Sequence, residues 1–298
     1  MQTGIKAKKT VAGIALLTRK PHQYSSGRRT KAWHYIVAAL LVLLYLLPIY
    51  VMLNLSFREI TDIGSRLALP KKWVTYNYTQ VLGGSEIWIG FVNSIIIVME
   101  TVAVQIVASA LGAYGLVRGG GWISRALGSL NMGIMMIPGT VLLVGTYSLM
   151  AKVHMINNLL GLSLLSAAGG IPATMYMYMN FIAAIPRALD EAAEIDGAGV
   201  LKTFFIIILP LLKAVTVTQI ILTATASWNN YLMPMYLLTK KSKYTIILVI
   251  KQAFNSNNGL GNLPQACATC VLGLLPVIVL YLFLQRYIIE GQIGSSIK

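Results

Sequence analysis

The sequence predicts an all-α membrane protein with six transmembrane helices, and three observations carry that prediction. Apolar residues make up 56% of the 298-residue chain and charged residues only 11%, less than half the charged share of an ordinary soluble domain. The mean hydropathy is +0.70. Six apolar runs are long enough to cross roughly 30 Å of hydrocarbon, which takes about 20 helical residues. They lie at about 34–55, 87–117, 126–149, 162–184, 205–228 and 264–289. No segment alternates strictly enough for a transmembrane barrel strand, so helices, which satisfy their own backbone hydrogen bonds, are the expected spanning elements.

The first run follows a basic arm, residues 1–33, which holds Lys6, Lys8, Lys9, Arg19, Lys20, Arg28, Arg29 and Lys31 and no acid. Basic residues near span ends are retained on the cytoplasmic side. The arm is therefore expected in the cytoplasm, as is the tail 290–298 once six spans (34–289) have been crossed. Lys71, Lys72, Lys240, Lys241 and Lys243 fall on the outer side and oppose that assignment. The first run is too long for a signal-peptide core and lacks a small-residue cleavage site after it, which suits an uncleaved anchor. The net charge of +15 does not point to nucleic acid, because the basic residues are dispersed over arm and loops. Retention and attraction to anionic lipid headgroups account for it.

Within the second run Glu100 is a carboxylate near the expected bilayer centre. Such a group is either an ion or substrate contact or a hydrogen-bonded group packed between helices. The run closes at "AYGLVRGGGWISR", a short glycine- and arginine-bearing turn. The third run holds "MMIPGTVLL", where Pro138 and Gly139 permit a kink or an unwound turn. In the fourth, "TMYMYMNF" places Tyr176 and Asn180 on one helical face, lining either a wet pathway or a packed interior. The fifth ends at "SWNNYLMPMYLL", where Trp228, Asn229, Asn230 and Tyr231 precede Pro234. Aromatic faces beside amides suit sugar rings, although an aromatic at this depth also serves as an interface anchor. Cys267 and Cys270, as "CATC" in the last run, lack the context of a redox pair or a structural zinc site, and His22, His34 and His154 are scattered. No metal site is expected.

Four of the nine acidic residues crowd into "DEAAEIDGAG", positions 190–199, in the expected cytoplasmic loop 185–204. Pro186 suits a helix start and Gly197 a helix stop, giving an expected helix of about three turns. Its carboxylates would lie in the C-terminal half, where the macrodipole disfavours them, and Asp190 and Glu194 would form a like-charged i, i+4 pair. That local cost suits a protruding helix-turn-helix which docks in a polar cleft of another protein. A merely solvated charged loop is the other reading. Ala192, Ala193 and Ala198 would permit close approach, and Phe204 and Phe205 would anchor the element to the bundle.

Glu191, Ala192, Ala193, Gly197, Ile207, Leu209 and Pro210 stand at the spacing of the EAA signature and resemble ATP-binding-cassette importer permeases. The segments "NSIIIV", "AYGLVR", "IDGAG" and "WNNYLMP" are similar to stretches of the carbohydrate-uptake permeases of the maltose type, over roughly residues 34–298. The resemblance implies the type I importer permease fold of that type's smaller permease subunit: six spans with a cytoplasmic coupling helix, in a bacterial inner membrane. It implies that Glu191, Ala192, Ala193, Asp196, Gly197 and Ala198 form the coupling element. It also implies a second homologous permease subunit in a heterodimer, two cytoplasmic ATPase subunits that bind ATP and Mg, and an extracytoplasmic binding protein delivering an oligosaccharide. Glu290 departs from the basic residue expected in the tail of that family.

No cofactor is expected in this chain, which has no G-x-x-x-x-G-K-[ST] phosphate loop and so no expected ATP hydrolysis of its own. An ion-gradient carrier using Glu100 would need paired inverted repeats, and none is evident. An intramembrane enzyme would need a catalytic constellation within the spans, and the sequence offers none. The expected outer segments carry nine basic residues (Arg58, Arg66, Lys71, Lys72, Lys152, Lys240, Lys241, Lys243 and Lys251) against Glu59, Asp62 and Glu86. Such a field suits acidic oligosaccharides, such as alginate or pectin fragments, and equally an acidic binding protein or anionic lipid.

Overall fold

Long apolar runs produce long helices here, and proline, glycine and asparagine set where the others stop. The computed structural model describes the backbone of residues 32–255 and 262–296, and the side chains of 33–255 and 262–283. All but the last two residues of the expected basic arm lie outside the described residues, as do the side chains of the 290–298 tail, Glu290 included. Every regular element among the described residues is a helix.

The chain divides into two compact units, Met1–Ile49 and Tyr50–Lys298. The described part of the first is most of helix α1 (Ala32–Ser56), whose side chains over 33–49 are exposed on every face. In the second unit, the end of α1 organises the following segment through side-chain donors. Asn54 Nδ2 donates to the carbonyls of Arg66 and Ala68, at 2.9 and 2.7 Å. Arg58, only 1% exposed, spends its guanidinium on the carbonyls of Gly64, Ser65 and Ala68. Asn77, on α2 (Tyr76–Gly83), donates back to Ser56 and Arg58. Arg58 therefore does not belong to the expected outward basic field.

Helix α3 (Ser85–Gly119) is the spine of the second unit, about 50 Å long at 1.5 Å per residue. It contributes to three apolar clusters in turn. Ile87 packs with Val81, Trp228, Ile246 and Ala268; Ile97 with Met150, Leu162 and Leu237; Ile106, Ala110, Ala113 and Tyr114 with Tyr178, Ile182, Phe204 and Ile208. Gly120 and Gly121, at φ +63° and +77°, end it in a conformation that other residues adopt only at a cost.

The expected third span, 126–149, is two helices rather than one: α4 (Gly121–Met135) and α5 (Leu143–Lys152). Pro138 disfavours helical geometry in the residue before it and supplies no N–H donor, so the chain passes through tight turns closed by Val141 N–H to Pro138 O at 3.0 Å. Helix α6 (Leu159–Ala183) starts three residues before its expected span, because the Asn158 side chain accepts the N–H groups of Leu160 and Gly161. The next two helices are α7 (Ala188–Ile195) and α8 (Val200–Leu211). The expected fifth span, 205–228, is bent by 80° between α8 and α9 (Lys213–Trp228). A π turn at Phe204–Ile208 and the missing donor of Pro210 account for the bend. The remaining helices are α10 (Leu232–Leu237), α11 (Ile246–Asn255) and α12 (Leu263–Ser296). Four helices, α1, α3, α6 and α12, are individually long and apolar enough to cross a bilayer, and the bent α8 and α9 pair makes a fifth as one broken span.

Candidate functional site

The acidic segment folds as two short helices around a tight turn. Helix α7 has eight residues, fewer than expected, because Arg187 is its N-cap position and Pro186 lies just outside it. Asp190 and Glu191 consequently occupy the first turn, where the macrodipole favours negative charge. The expected dipole cost is therefore lifted for these two and remains only for Glu194 in the last turn and Asp196 at the C-cap. Asp190 and Glu194 do not share a surface: Asp190 turns inward, while Glu194 is exposed.

The turn after α7 is a Schellman cap. Ala198 N–H donates to Ala193 O at 2.8 Å, Gly197 N–H to Glu194 O at 3.0 Å, and Gly197 sits at φ +74°. A Cβ at Gly197 would meet nothing within 4 Å, so backbone conformation, not space, asks for glycine. Ala193 faces inward at 3% exposure, which lets α7 lie close on its neighbours. Glu191, Ala192, Glu194, Ile195 and Asp196 face outward, Ile195 at 87% exposure. The result is one apolar knob among three exposed carboxylates.

The inward side is tied to the end of α3. Tyr114 Oη donates to Asp190 Oδ1 at 2.7 Å, and Arg118 Nη2 lies 3.0 Å from Asp190 Oδ2. Arg118 also donates to Ile185 O, and Arg187 to Val117 O, at 2.9 and 3.1 Å. Phe204 and Ile208 of α8, and Leu212 at the break after it, turn inward at four-residue spacing, and the Phe204 ring lies 5.2 Å from that of Tyr114. Phe205, expected to anchor the element as well, is instead half exposed, since it sits one residue off that stripe.

The residues expected along a substrate pathway do not converge. Glu100 on α3 is partly buried and takes a hydrogen bond from Ser163 of α6, the packed arrangement. Tyr176 is half-buried and Asn180 exposed on one face of α6, while Tyr178 between them is buried with its hydroxyl 3.0 Å from Thr216 Oγ1. Trp228 belongs to the interior: it is 8% exposed, and its indole N–H donates to Gly273 O at 3.2 Å. Its flat face is therefore committed to protein packing. Asn229 is exposed and bonds back to Thr225 O of its own helix, Asn230 accepts from Met233 N–H, and Tyr231 carries Lys251 Nζ 5.2 Å from its ring centre. The two cysteines are free thiols on α12, and among the described residues no cluster of metal-ligating side chains exists.

Sequence reasoning missed a buried polar layer that joins α3, α6 and α9. Gln105 Nε2 donates to Thr174 Oγ1 at 2.7 Å and to Thr223 Oγ1 at 3.0 Å, and Thr174 Oγ1 donates to Gln219 Oε1 at 3.3 Å. All four side chains are buried. Polar residues inside apolar runs were the available signal, and Gln219 and Thr223 even share the i, i+4 spacing. Arg118 was missed as a partner for Asp190 because 72 residues separate them, 190 − 118, and no local pattern links them.

Helices long and apolar enough to cross a membrane, with a short acidic element packed onto the end of the long central one, define a polytopic helical membrane protein. The chain belongs to the family described as "Binding-protein-dependent transport system inner membrane component", whose profile matches residues 105–292. It is 31% identical over 273 residues to the melibiose/raffinose/stachyose import permease protein MelC of Bacillus subtilis, covering 91% of this chain and 98% of that one. The multiple sugar-binding transport system permease protein MsmG of Streptococcus mutans is 29% identical, covering 89% and 96%, and the arabinooligosaccharides transport system permease protein AraQ of Bacillus subtilis is 28% identical, covering 87% and 92%. In fold, the chain matches a chain of a bacterial ABC transporter involved in the import of the acidic polysaccharide alginate, with TM-score 0.75, 23% identity, and 88% and 98% coverage. The fold is thus that of an ABC importer permease, and the chain is an inner-membrane component. The alternative of an ion-gradient carrier built on Glu100 is not favoured.

Proposed function

We propose that this chain is one half of the translocation pathway of an ATP-driven oligosaccharide importer, and that segment 185–204 is the element through which partner ATPases drive it. One observation carries the reading: α7 offers Glu191, Glu194, Asp196 and Ile195 outward, while Asp190 and Ala193 hold its other side against the bundle. A helix so fixed at its base moves as a rigid piece with whatever grips its outer face. On this reading the chain crosses the membrane six times, with the third and fifth spans broken, and this segment and both chain ends lie in the cytoplasm. ATP and Mg belong to the two ATPase subunits, and a second homologous permease and an extracytoplasmic binding protein complete the assembly.

The relatives' sugars support an oligosaccharide as cargo. The finer reading is an acidic oligosaccharide, supported by Arg66, Lys71, Lys72, Lys152, Lys240 and Lys243 on the outer segments. Three of the nine basic residues leave that field: Arg58 is buried on carbonyls, Lys241 pairs with Glu86 at 3.2 Å, and Lys251 lies over Tyr231. Asn229 and Tyr231 remain the residues open to such a cargo at the end of α9, and Tyr176 with Asn180 on α6.

The test of docking is Glu191→Lys in the assembled transporter. ATPase co-purification and uptake should both fall about ten-fold, with the permease still folded; unchanged values for both would remove the docking reading. The cargo is decided by calorimetry on the binding protein with an oligouronate and with raffinose. Binding of raffinose alone would reject the acidic reading.

A further inference from the structure

We infer that Asp190 and Arg118, with Tyr114, form the clamp through which motion of the docking element reaches the bundle. Asp190 is the one carboxylate of the cluster that turns toward the bundle, whereas Glu191, Glu194 and Asp196 are exposed. Its side chain and that of Arg118 are 20% and 12% exposed, and its two oxygens face Tyr114 and Arg118 at 2.7 and 3.0 Å. Asp190 Oδ2 takes no well-formed hydrogen bond among the described residues, so the Arg118 charge is what compensates it.

The same arginine holds Ile185 O, where the chain leaves α6, and Arg187 holds Val117 O, so the chain is tied twice just before α7 begins. Tyr114 reaches the second helix as well, through its ring contact with Phe204. Two successive turns of α3, one at Tyr114 and the next at Val117 and Arg118, therefore receive both arms of the helix-turn-helix. Helix α3 runs unbroken from Gly119 back to Ser85, passing Gln105 and Glu100. Push on α7 is thereby delivered to the one helix that, among the described residues, contributes to all three apolar clusters. Glu191 and Asp190 are neighbours with divided roles, the first facing out to be gripped and the second facing in to transmit.

This inference rests on the docking reading, and the experiment separates the two. The complete transporter, permease pair and ATPases, is reconstituted in nanodiscs, and hydrogen exchange is followed with and without Mg-ADP-vanadate trapping. In the wild type, trapping should change exchange about five-fold both at 190–199 and at 112–119. In Arg118→Gln and in Asp190→Asn, the change at 190–199 should persist and that at 112–119 should be lost. Tyr114→Phe keeps the ring against Phe204 and should lose only part of the response. The swapped pair Arg118→Asp with Asp190→Arg should restore it, which a contact serving only stability would not require. No response at 190–199 in the wild type would overturn the docking reading itself. A full response at 112–119 in both single variants, or a swap that performs no better than they do, would overturn the clamp while leaving docking intact.

Discussion

In the middle of the bundle Gln105, Thr174, Gln219 and Thr223 turn their polar atoms toward one another, whereas the docking element sends Glu191, Glu194 and Asp196 outward and keeps only Asp190 inside. Both regions place polar groups in an apolar background. The central layer has no water to fall back on, so its groups are held by hydrogen bonds between helices, worth typically about 0.6 kcal/mol each and up to about 1.7 in a membrane. At the end of α3 the exposed carboxylates need no internal partner, and they are left available to something else. Burial, rather than residue type, separates a polar group that binds the fold together from one that can bind another protein.

The central layer is broken most severely by Gly170→Ala. The new Cβ would stand 2.3 Å from Gln105 Oε1, so the amide must swing away and give up both of its donated bonds. Losing two such bonds should cost about 1.2 kcal/mol, read as a lowered Tm in detergent; an unchanged Tm would show that the layer contributes nothing. The docking turn should be less sensitive in stability. Gly197→Ala puts a side chain at φ +74° and should cost roughly 1 kcal/mol, with uptake per ATP hydrolysed falling further than Tm does. Equal falls in the two would remove the distinction between a region that stabilises and one that couples. Thr223→Val removes one bond from the layer and should cost only about 0.6 kcal/mol.

The smallest effect is at Asp62, in the segment after α1. The backbone N–H of Lys71, followed by that of Gly64, holds its carboxyl below the usual carboxylate value. A depressed value in the folded chain means that its contribution is present above the unfolded pKa of about 3.9 and is lost as pH falls through the lower folded value. Wild type and Asp62→Asn should therefore differ slightly in Tm at neutral pH and converge below about pH 4. Curves that stay parallel down to the acid end would show that these two hydrogen bonds do not matter to the fold.

Much of the fold was legible because hydrophobic length is a strong signal. The runs at 87–117, 162–184 and 264–289 correspond to α3, α6 and α12 within a few residues, apart from the further turns by which α12 runs on to Ser296. The two broken elements were harder. Pro138 announced a break in the third run, but the 80° turn after α8 depends on a π turn whose only sequence mark is Pro210. Within the docking element Gly197 was read correctly as the stop, because a positive φ leaves few choices. The starting point was misread, and two residues at the N-terminus were enough to move Asp190 and Glu191 from the unfavourable end of the dipole to the favourable one. Trp228 shows the same limit: an aromatic beside amides suggests a ligand face, yet the ring packs against Phe91 and its N–H is already given to Gly273 O.

By itself, the sequence determined that this chain is a helical membrane protein, roughly where its longest helices run, and that positions 190–199 resemble the EAA signature of importer permeases. These are local quantities: apolar length, a proline or glycine at a break, and residue spacing within one loop. Only the tertiary structure decided which acid faces in, that Arg118 meets it across 72 residues, 190 − 118, that Arg58 is buried, and that Gln105 gathers two threonines from other helices. Those pairings depend on which helix faces touch. Contact between faces follows from packing the whole chain, and no window of neighbouring residues contains it.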